Sequence, residues 1–191
     1  MSREMGNRYE DVFTRRQILM GGVVAVGGLA VTPAFAKAGL GQEPENQILR
    51  NAESIHQEPR FAGSRKRVYD ALTDEHQFDK VIRLCAEVQS GGSFGDKPTE
   101  IDPKPGGAFV LFGGIISGRQ IELVPNERIV QAWRVANWGR GIYSIVRFEL
   151  VEDGPGTRIV LDHTGFPRGD AETLATGWKA HYWEPLRKYL A

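Results

Sequence analysis

The second half of the chain alternates between apolar and polar residues with a period of two, the pattern of half-buried β-strands. In the clearest run, Val146 and Phe148 share one face, whereas Arg147 lies on the other. Turn-forming sequences such as Pro125-Asn126 separate the runs by only a few residues, so consecutive strands should pair antiparallel as a meander. The pattern therefore predicts five strands, over residues 108–112, 115–124, 128–135, 143–151 and 157–164.

The last part of the chain changes to a helical period. Residues 170–190 place apolar side chains three or four positions apart and predict a long C-terminal helix. Its apolar stripe consists of Leu174, Trp178, Tyr182, Leu186 and Tyr189. Pro185 has no N–H group, so it should kink this helix or loosen the preceding turn.

A strand and two short helices are predicted before the meander. Residues 48–58 suit a first strand. Ser64 is a good N-cap for a helix over residues 65–72, and Thr73 or Asp74 can cap a second short helix.

These elements predict an α+β fold, in which a curved antiparallel sheet of about six strands wraps around the C-terminal helix, with two short helices after the first strand. The sheet needs its apolar face covered, and the C-terminal helix is the only predicted element able to cover it. A space between such a sheet and one helix is the default place for a ligand. The glycine- and proline-rich loop over residues 91–107 is the candidate lid.

Bulky aromatic residues fall mostly on the predicted core-facing positions, where they can fill a core or line a cavity, and both interpretations stay open. Arg119 shares the strand phase of Ile121 and Leu123, so it is predicted to point inward towards an anionic partner, unless it reaches solvent at the sheet end. His163 should face the cavity and His181 should approach it, either as acid–base groups or as polar caps at the core edge. The candidate ligand-binding residues are Phe94, Phe109, Phe112, Arg119, Ile121, Trp133, Phe148, His163, Trp178 and Tyr182.

The beginning of the chain has the pattern of a twin-arginine export signal. Arg15 and Arg16 immediately precede a weakly hydrophobic, glycine-rich run. Residues 34–36 supply the small-x-small sequence that signal peptidase requires, which predicts cleavage after Ala36, and a cut after Ala38 also fits.

The signal divides the chain into a cleaved segment over residues 1–36, a flexible leader over 37–47 and one domain over 48–191. A general secretory signal is the alternative interpretation of residues 1–36, because such signals share the basic start and the apolar middle. A membrane anchor needs about 20 consecutive apolar residues, more than residues 18–31 supply, so no stable membrane span is expected after cleavage. Export predicts a periplasmic or otherwise exported protein that meets the twin-arginine translocase and signal peptidase on its way.

The composition and the motif content limit which partners, metals and cofactors the protein is expected to bind. The 24 Lys and Arg residues balance the 24 Asp and Glu residues, without a basic block, which argues against nucleic acid as a partner. Cys85 is the single cysteine, so it forms no internal disulfide and is expected to be a buried structural thiol. The sequence contains no metal-ligand spacing, cofactor motif or nucleophile elbow, so no metal and no cofactor are predicted.

Several short sequence motifs resemble those of a known family. They are, in chain order, RVYDALTD at 67–74, GSF at 92–94, LVPNERIV at 123–130, AWR at 132–134, GTR at 156–158, HTGFP at 163–167, GW at 177–178 and YWEPL at 182–186. In this order the chain resembles the START-like (SRPBCC) superfamily. Within it, the most similar branch is the one named after the activator of the heat-shock protein ATPase. The resemblance covers about residues 48–191 and implies the helix-grip fold with a cavity.

The resemblance implies no single activity, because such proteins include hydrophobic-ligand carriers, polyketide cyclases and chaperone regulators. The first hypothesis is an exported domain that binds a small hydrophobic molecule without clear catalytic machinery. The second is a cyclase- or hydratase-like enzyme that uses His163 in the same cavity. The third is a protein-interaction module like the chaperone regulators, although an exported domain would not meet a cytosolic chaperone. An apolar cavity favours the carrier, converging polar groups favour the enzyme, and an exposed apolar patch favours the interaction module.

Overall fold

The computed structural model describes residues 52–191. The predicted signal over residues 1–36, the leader over 37–47 and the first residues of the predicted first strand lie outside the described part. Within residues 52–191, no helix combines the length and the hydropathy that a membrane crossing requires.

One open antiparallel sheet of eight strands organises the described chain. The strands are β1 Ala52–Gln57, β2 Arg60–Phe61, β3 Glu100–Ile101, β4 Ala108–Leu111, β5 Ile116–Val124, β6 Arg128–Val135, β7 Ser144–Asp153 and β8 Gly156–Pro167. Their order is β1-β8-β7-β6-β5-β4-β3, and β2 also pairs with β8. The predicted α+β class is confirmed. The expected count of about six strands was too low, because β2 and β3 are two residues long and show no period.

Strand β5 changes phase at a β-bulge between Gln120 and Glu122. Before the bulge Gln120 is buried and Arg119 is exposed, whereas beyond it Leu123 packs against the core. Ile121 at the bulge is 48% exposed. The prediction that Arg119 and Ile121 point inward is therefore wrong, because the phase of Leu123 does not extend back across a bulge.

Strand β8 is longer than predicted for a similar reason. Its pairing with β1 shifts register between Glu53 and Ser54, which leaves Gly165 as the extra residue. Gly165 has a φ of 79°, a backbone conformation that glycine adopts without a Cβ penalty. The bulge brings Phe166 back into the core, so the strand continues past the alternation that ends at residue 164.

The helices before the meander begin at the predicted caps. Helix α1 spans Arg65–Thr73, and the Ser64 hydroxyl accepts from the Arg67 N–H. Helix α2 spans Glu75–Ile82, and the Asp74 carboxylate accepts from the Gln77 N–H. The short helix α3, Ala86–Gln89, was not predicted.

The C-terminal helix α4 consists of three consecutive segments. Ala171–Gly177 and Glu184–Leu190 are α-helical, whereas Trp178–Trp183 between them is π-helical. Bonding from i to i+5 brings residues five apart towards the same face, whereas an α-helix would place them about 140° apart. This is why Trp183 is buried together with Trp178, although the α-helical period left it off the predicted stripe.

Pro185 lies two residues beyond the end of the π-helical segment, so the predicted loosening of the turn before it is observed. Pro185 has no N–H to offer the His181 carbonyl four residues earlier. The Cys85 thiol lies 3.6 Å from that carbonyl and donates to it. Cys85 is free and buried, as predicted, and it joins the α2–α3 connection to α4.

Candidate functional site

An apolar cleft of about 200 Å³ lies between α4 and the strands β5 and β6. On the helix side it is lined by Thr173, Leu174, Gly177, Trp178, His181 and Tyr182. On the sheet side it is lined by Ile115, Ile116, Trp133 and Val135. Phe94 and Phe112 complete the wall from two connecting segments. The cleft thus forms where the sequence predicted a space, between the sheet and the C-terminal helix.

Three rings form the inner wall of the cleft. The indoles of Trp133 and Trp178 stack with centroids 5.6 Å apart and an interplanar angle of 26°. The Tyr182 ring packs on Trp178 at 4.3 Å. Burial raises the pKa of Tyr182, so its hydroxyl stays protonated and can donate a hydrogen bond. The wall is therefore a rigid aromatic surface that carries donor groups.

Phe94 and Phe112 form the opposite wall, with their rings edge to face at 5.1 Å. Each is followed by a glycine, and the two glycine backbones touch: a Cβ on Gly113 would lie 2.4 Å from the Gly95 Cα. Phe112 itself has a φ of 50°, which costs free energy in a bulky residue. The contact between the two Phe-Gly pairs therefore fixes this wall by close backbone approach.

Behind the inner wall, His163 belongs to a buried hydrogen-bond chain. The Trp178 indole N–H lies 3.1 Å from His163 Nδ1. An indole can only donate, so Nδ1 accepts and the neutral ring carries its proton on Nε2. The Nε2–H group donates a hydrogen bond to the Ser144 hydroxyl oxygen at 2.7 Å, and the hydroxyl donates to the Trp133 carbonyl at 3.1 Å.

This hydrogen-bond chain leaves His163 unable to act as an acid or a base in the cleft. Both ring nitrogens are occupied, and the side chain is fully buried. Burial lowers the pKa of His163 to about 3. The hypothesis of a cyclase- or hydratase-like enzyme using His163 is not supported, because a general base needs a free nitrogen within reach of the substrate.

The ten predicted ligand-binding residues separate into three groups. The cleft-lining group consists of Phe94, Phe112, Trp133, Trp178 and Tyr182. The group buried in the core, outside the cleft, consists of Phe109, Phe148 and His163. Arg119 and Ile121 are exposed, and the Arg119 guanidinium donates to the Gly106 carbonyl at 2.9 Å instead of meeting an anion.

The two core phenylalanines are kept from the cleft by their neighbours. The Phe109 ring covers Gly118 on the paired strand, where a Cβ would lie 2.4 Å from its Cζ. The Phe148 ring packs against the Trp178 indole at 5.7 Å. Phe148 therefore supports the inner wall from behind, whereas Phe109 is packed over Gly118 in the core.

Sequence reasoning missed several lining residues, among them Ile115, Val135, Thr173 and Gly177. Gly177 did carry a signal, because a glycine inside a helix costs free energy and needs a reason. His181, which was predicted to approach the cavity, lines the cleft with its ring 5.2 Å from that of Phe94. Its Nδ1 lies 3.6 Å from a carboxylate oxygen of Glu87.

The donors for a metal do not come together in the described part of the chain. Within residues 52–191, no three His, Cys, Asp or Glu side chains are grouped so that they could hold an ion. Burial raises the pKa of the Cys85 thiol to about 11, which disfavours the thiolate that metal binding needs.

An open antiparallel sheet with a C-terminal helix packed on its buried face defines an α+β domain of the helix-grip, START-like class. The family model described as "Activator of Hsp90 ATPase homolog 1-like protein" matches residues 62–191, and the chain belongs to this family. The family resemblance inferred from the short sequence motifs is thereby confirmed.

Curated relatives carry the same name. An "Activator of 90 kDa heat shock protein ATPase homolog" from Dictyostelium discoideum is 33% identical over 111 residues, which are 58% of this chain and 27% of the relative. "Activator of 90 kDa heat shock protein ATPase homolog 1" from Homo sapiens is 26% identical over 117 residues, 61% of this chain and 34% of the relative. The matched region thus spans about a third or less of these relatives.

Solved structures share the fold. An Hsp90 activator from Plasmodium falciparum superposes with a TM-score of 0.58 and 26% identity, covering 73% of this chain and 96% of that one. CalU16 from Micromonospora echinospora superposes with a TM-score of 0.57 and 21% identity, covering 73% of this chain and 77% of that one. The second likeness, at this identity, concerns the fold alone.

Proposed function

We propose that the domain binds a small apolar molecule of one or two rings in the cleft beneath α4. Size supports this class of ligand. An apolar cavity of about 150 Å³ binds benzene, and the cleft here measures about 200 Å³.

The proposal rests on the presence of glycine at position 177, inside the helix and on the wall of the cleft. Its helical φ of −60° and ψ of −42° do not require glycine, and alanine would stabilise the helix by about 1 kcal/mol. Among residues 52–191, apart from the helix backbone and the two neighbouring residues, the only atom within 4 Å of a Cβ placed there is Cδ2 of His181, at 3.8 Å. Packing therefore leaves room for a side chain, and the room belongs to the cleft. A glycine here keeps ligand space open at the expense of helix stability.

A polar group on the cleft wall adds a chemical preference. The Trp133 indole N–H is buried and makes no hydrogen bond within 3.5 Å among the described residues, and it lies near the Tyr182 hydroxyl, where it partly offsets the rise in the pKa of Tyr182 that burial causes. An unpaired buried donor costs about 1–3 kcal/mol. A ligand with one acceptor oxygen would supply a better hydrogen bond, to this N–H or to the Tyr182 hydroxyl beside it, so we expect a ketone to bind better than a hydrocarbon of the same shape.

Acetophenone and ethylbenzene form a matched pair for the experiment. Each is titrated into the purified protein while tryptophan fluorescence and the midpoint of thermal unfolding are recorded. Both should bind saturably and raise the midpoint, and acetophenone should bind more tightly. Failure of both ligands to bind would overturn the proposal.

Gly177→Leu tests the location, because its side chain would fill the cleft and should abolish binding while leaving the protein folded. Thr176→Leu is the control: it places the same leucine side chain at the exposed neighbouring position of the helix. Retained affinity in Gly177→Leu, or equal losses in both variants, would place the ligand elsewhere.

Export is the second part of the proposal. It is supported by the sequence pattern of residues 1–36 alone, in particular the pair Arg15 and Arg16. The first 38 residues fused to a reporter that folds only in the cytoplasm should deliver it to the periplasm, and replacing both arginines with lysine should retain it inside. Unchanged export would contradict the twin-arginine route.

A protein-interaction role is the alternative function. The relatives named as Hsp90 ATPase activators suggest it, and exposed apolar side chains on and beside β5 and β7 favour it. Tyr143 is 51%, Ile121 48% and Ile145 42% exposed. If this surface serves an Hsp90-type ATPase, the purified domain should stimulate that enzyme and Ile145→Lys should remove the effect. No stimulation by the native domain would exclude this role.

A further inference from the structure

A second cleft of about 210 Å³ adjoins the apolar one. It lies between α2, α3 and the loop that follows α3. Its lining is mixed and includes the charged side chains of Asp79, Arg83 and Lys97. The two clefts therefore differ in polarity although they are neighbours.

Phe94 and Phe112 line both clefts and so form the partition between them. Phe94 is only partly buried, and it is carried by a loop with glycines at positions 91, 92 and 95. The backbones of Gly95 and Gly113 are in direct contact beside the partition. Rotation of the Phe94 side chain would connect the two clefts without rebuilding the core.

The second cleft carries a net positive charge. Arg83 bonds Asp79 through its Nε at 3.0 Å and a terminal nitrogen at 2.8 Å, so these two charges cancel. Lys97 forms no ion pair within 4 Å with any carboxylate of residues 52–191. Its aliphatic stem lies close to Gly114, where a Cβ would stand 2.7 Å from Cδ. Lys97 is thus available to an anionic group in this cleft.

We infer that the natural ligand is an amphiphilic acid, whose ring or short branched tail occupies the apolar cleft and whose carboxylate lies beside Lys97 in the second cleft. The inference rests on the proposed function, since the apolar end uses the same cleft. It adds the class of the polar end and the residue that recognises it. The chain between the two ends would pass the Phe94 ring.

A series of ω-phenylalkanoates, from phenylacetate to 6-phenylhexanoate, tests the inference against the matching ω-phenylalkanols. At a chain length that reaches the second cleft, the acid should bind about fivefold more tightly than the alcohol, the size of a partly exposed charge interaction. The preference should shrink as the salt concentration is raised, because salt screens such contacts.

Lys97→Gln should remove the preference for acids while leaving alcohol affinity unchanged. Lys66→Gln, an exposed lysine on α1, is the control and should keep the preference. Alcohols that bind as tightly as acids at every length would overturn this inference but leave the proposed apolar site intact. Binding of neither series would overturn the proposed function itself.

Discussion

The indole N–H of Trp178, on the C-terminal helix, donates to Nδ1 of His163, on strand β8, across 3.1 Å. This single contact fixes the tautomer of the histidine, because the indole has no acceptor. It also fixes the indole that forms the inner wall of the cleft. His163 therefore acts on the candidate site by holding Trp178 in place.

Acidification should destabilise the fold through His163. Burial lowers its pKa from 6.5 to about 3 in the folded protein, whereas the unfolded chain binds the proton near pH 6.5. The contribution of the neutral ring to stability is complete above pH 6.5 and is lost as the pH falls from 6.5 towards 3. The free energy of unfolding, measured by urea denaturation, should fall by up to about 1.4 kcal/mol between pH 6 and pH 5.

The other histidine with a shifted pKa does not act in that window. Hydrogen bonds to Asp162 and Glu58 raise the pKa of His56, so its contribution is complete below pH 6.5 and declines at higher pH. His163→Gln should therefore flatten the slope between pH 6 and pH 5, and the exposed His76→Gln should retain it. A slope unchanged by His163→Gln would contradict the assignment.

Ser144→Ala should weaken the fold by about 1–3 kcal/mol, because it leaves the buried His163 Nε2–H without an acceptor and the Trp133 carbonyl without its donor. Chemical denaturation at pH 7 measures the change. Ser54→Ala, at an exposed position of β1, removes a hydroxyl of the same kind and should stay within about 0.5 kcal/mol of the native protein. Similar losses in the free energy of unfolding in both variants would contradict the buried hydrogen-bond chain through His163 and Ser144.

Gly113→Ala should destabilise the protein more than Gly91→Ala. Both glycines have positive φ, 64° and 88°, so both variants carry the cost of a left-handed backbone, about 1–2 kcal/mol. Only Gly113 also faces the Gly95 backbone, 2.4 Å from its added Cβ. The unfolding midpoint should therefore fall further in Gly113→Ala, and acetophenone should bind more weakly. Equal midpoints would show that the two Phe-Gly pairs are not held by this contact.

Cys85 should resist alkylation in the native protein. Burial raises its pKa to about 11, so the thiolate fraction at pH 8 is about 100-fold below that of an exposed thiol with a pKa near 9. Iodoacetamide labelling followed by mass spectrometry should be slow in buffer and fast in urea, with glutathione as the exposed reference. Rapid native labelling would mean that the thiol leaves its contact with the His181 carbonyl.

Features that depend on neighbouring residues were predictable from the sequence. The caps at Ser64 and Asp74 and the burial of Val146 and Phe148 follow from local hydrogen bonding and from the period of a strand. The features that were not predicted depend on the exact register between paired strands. The bulge at Ile121 reversed the predicted direction of Arg119, because one extra residue moves every later side chain to the other face.

The sequence by itself determined the family, the antiparallel meander and the covering C-terminal helix, because alternation and helical period record which faces must leave water. Only the tertiary structure decided which of the inward-facing residues meet the cleft. His163 and Phe148 point inward as predicted, yet Trp178 covers both. Whether an inward side chain reaches a cavity depends on what packs over it, and at this site that residue is Trp178 on the C-terminal helix.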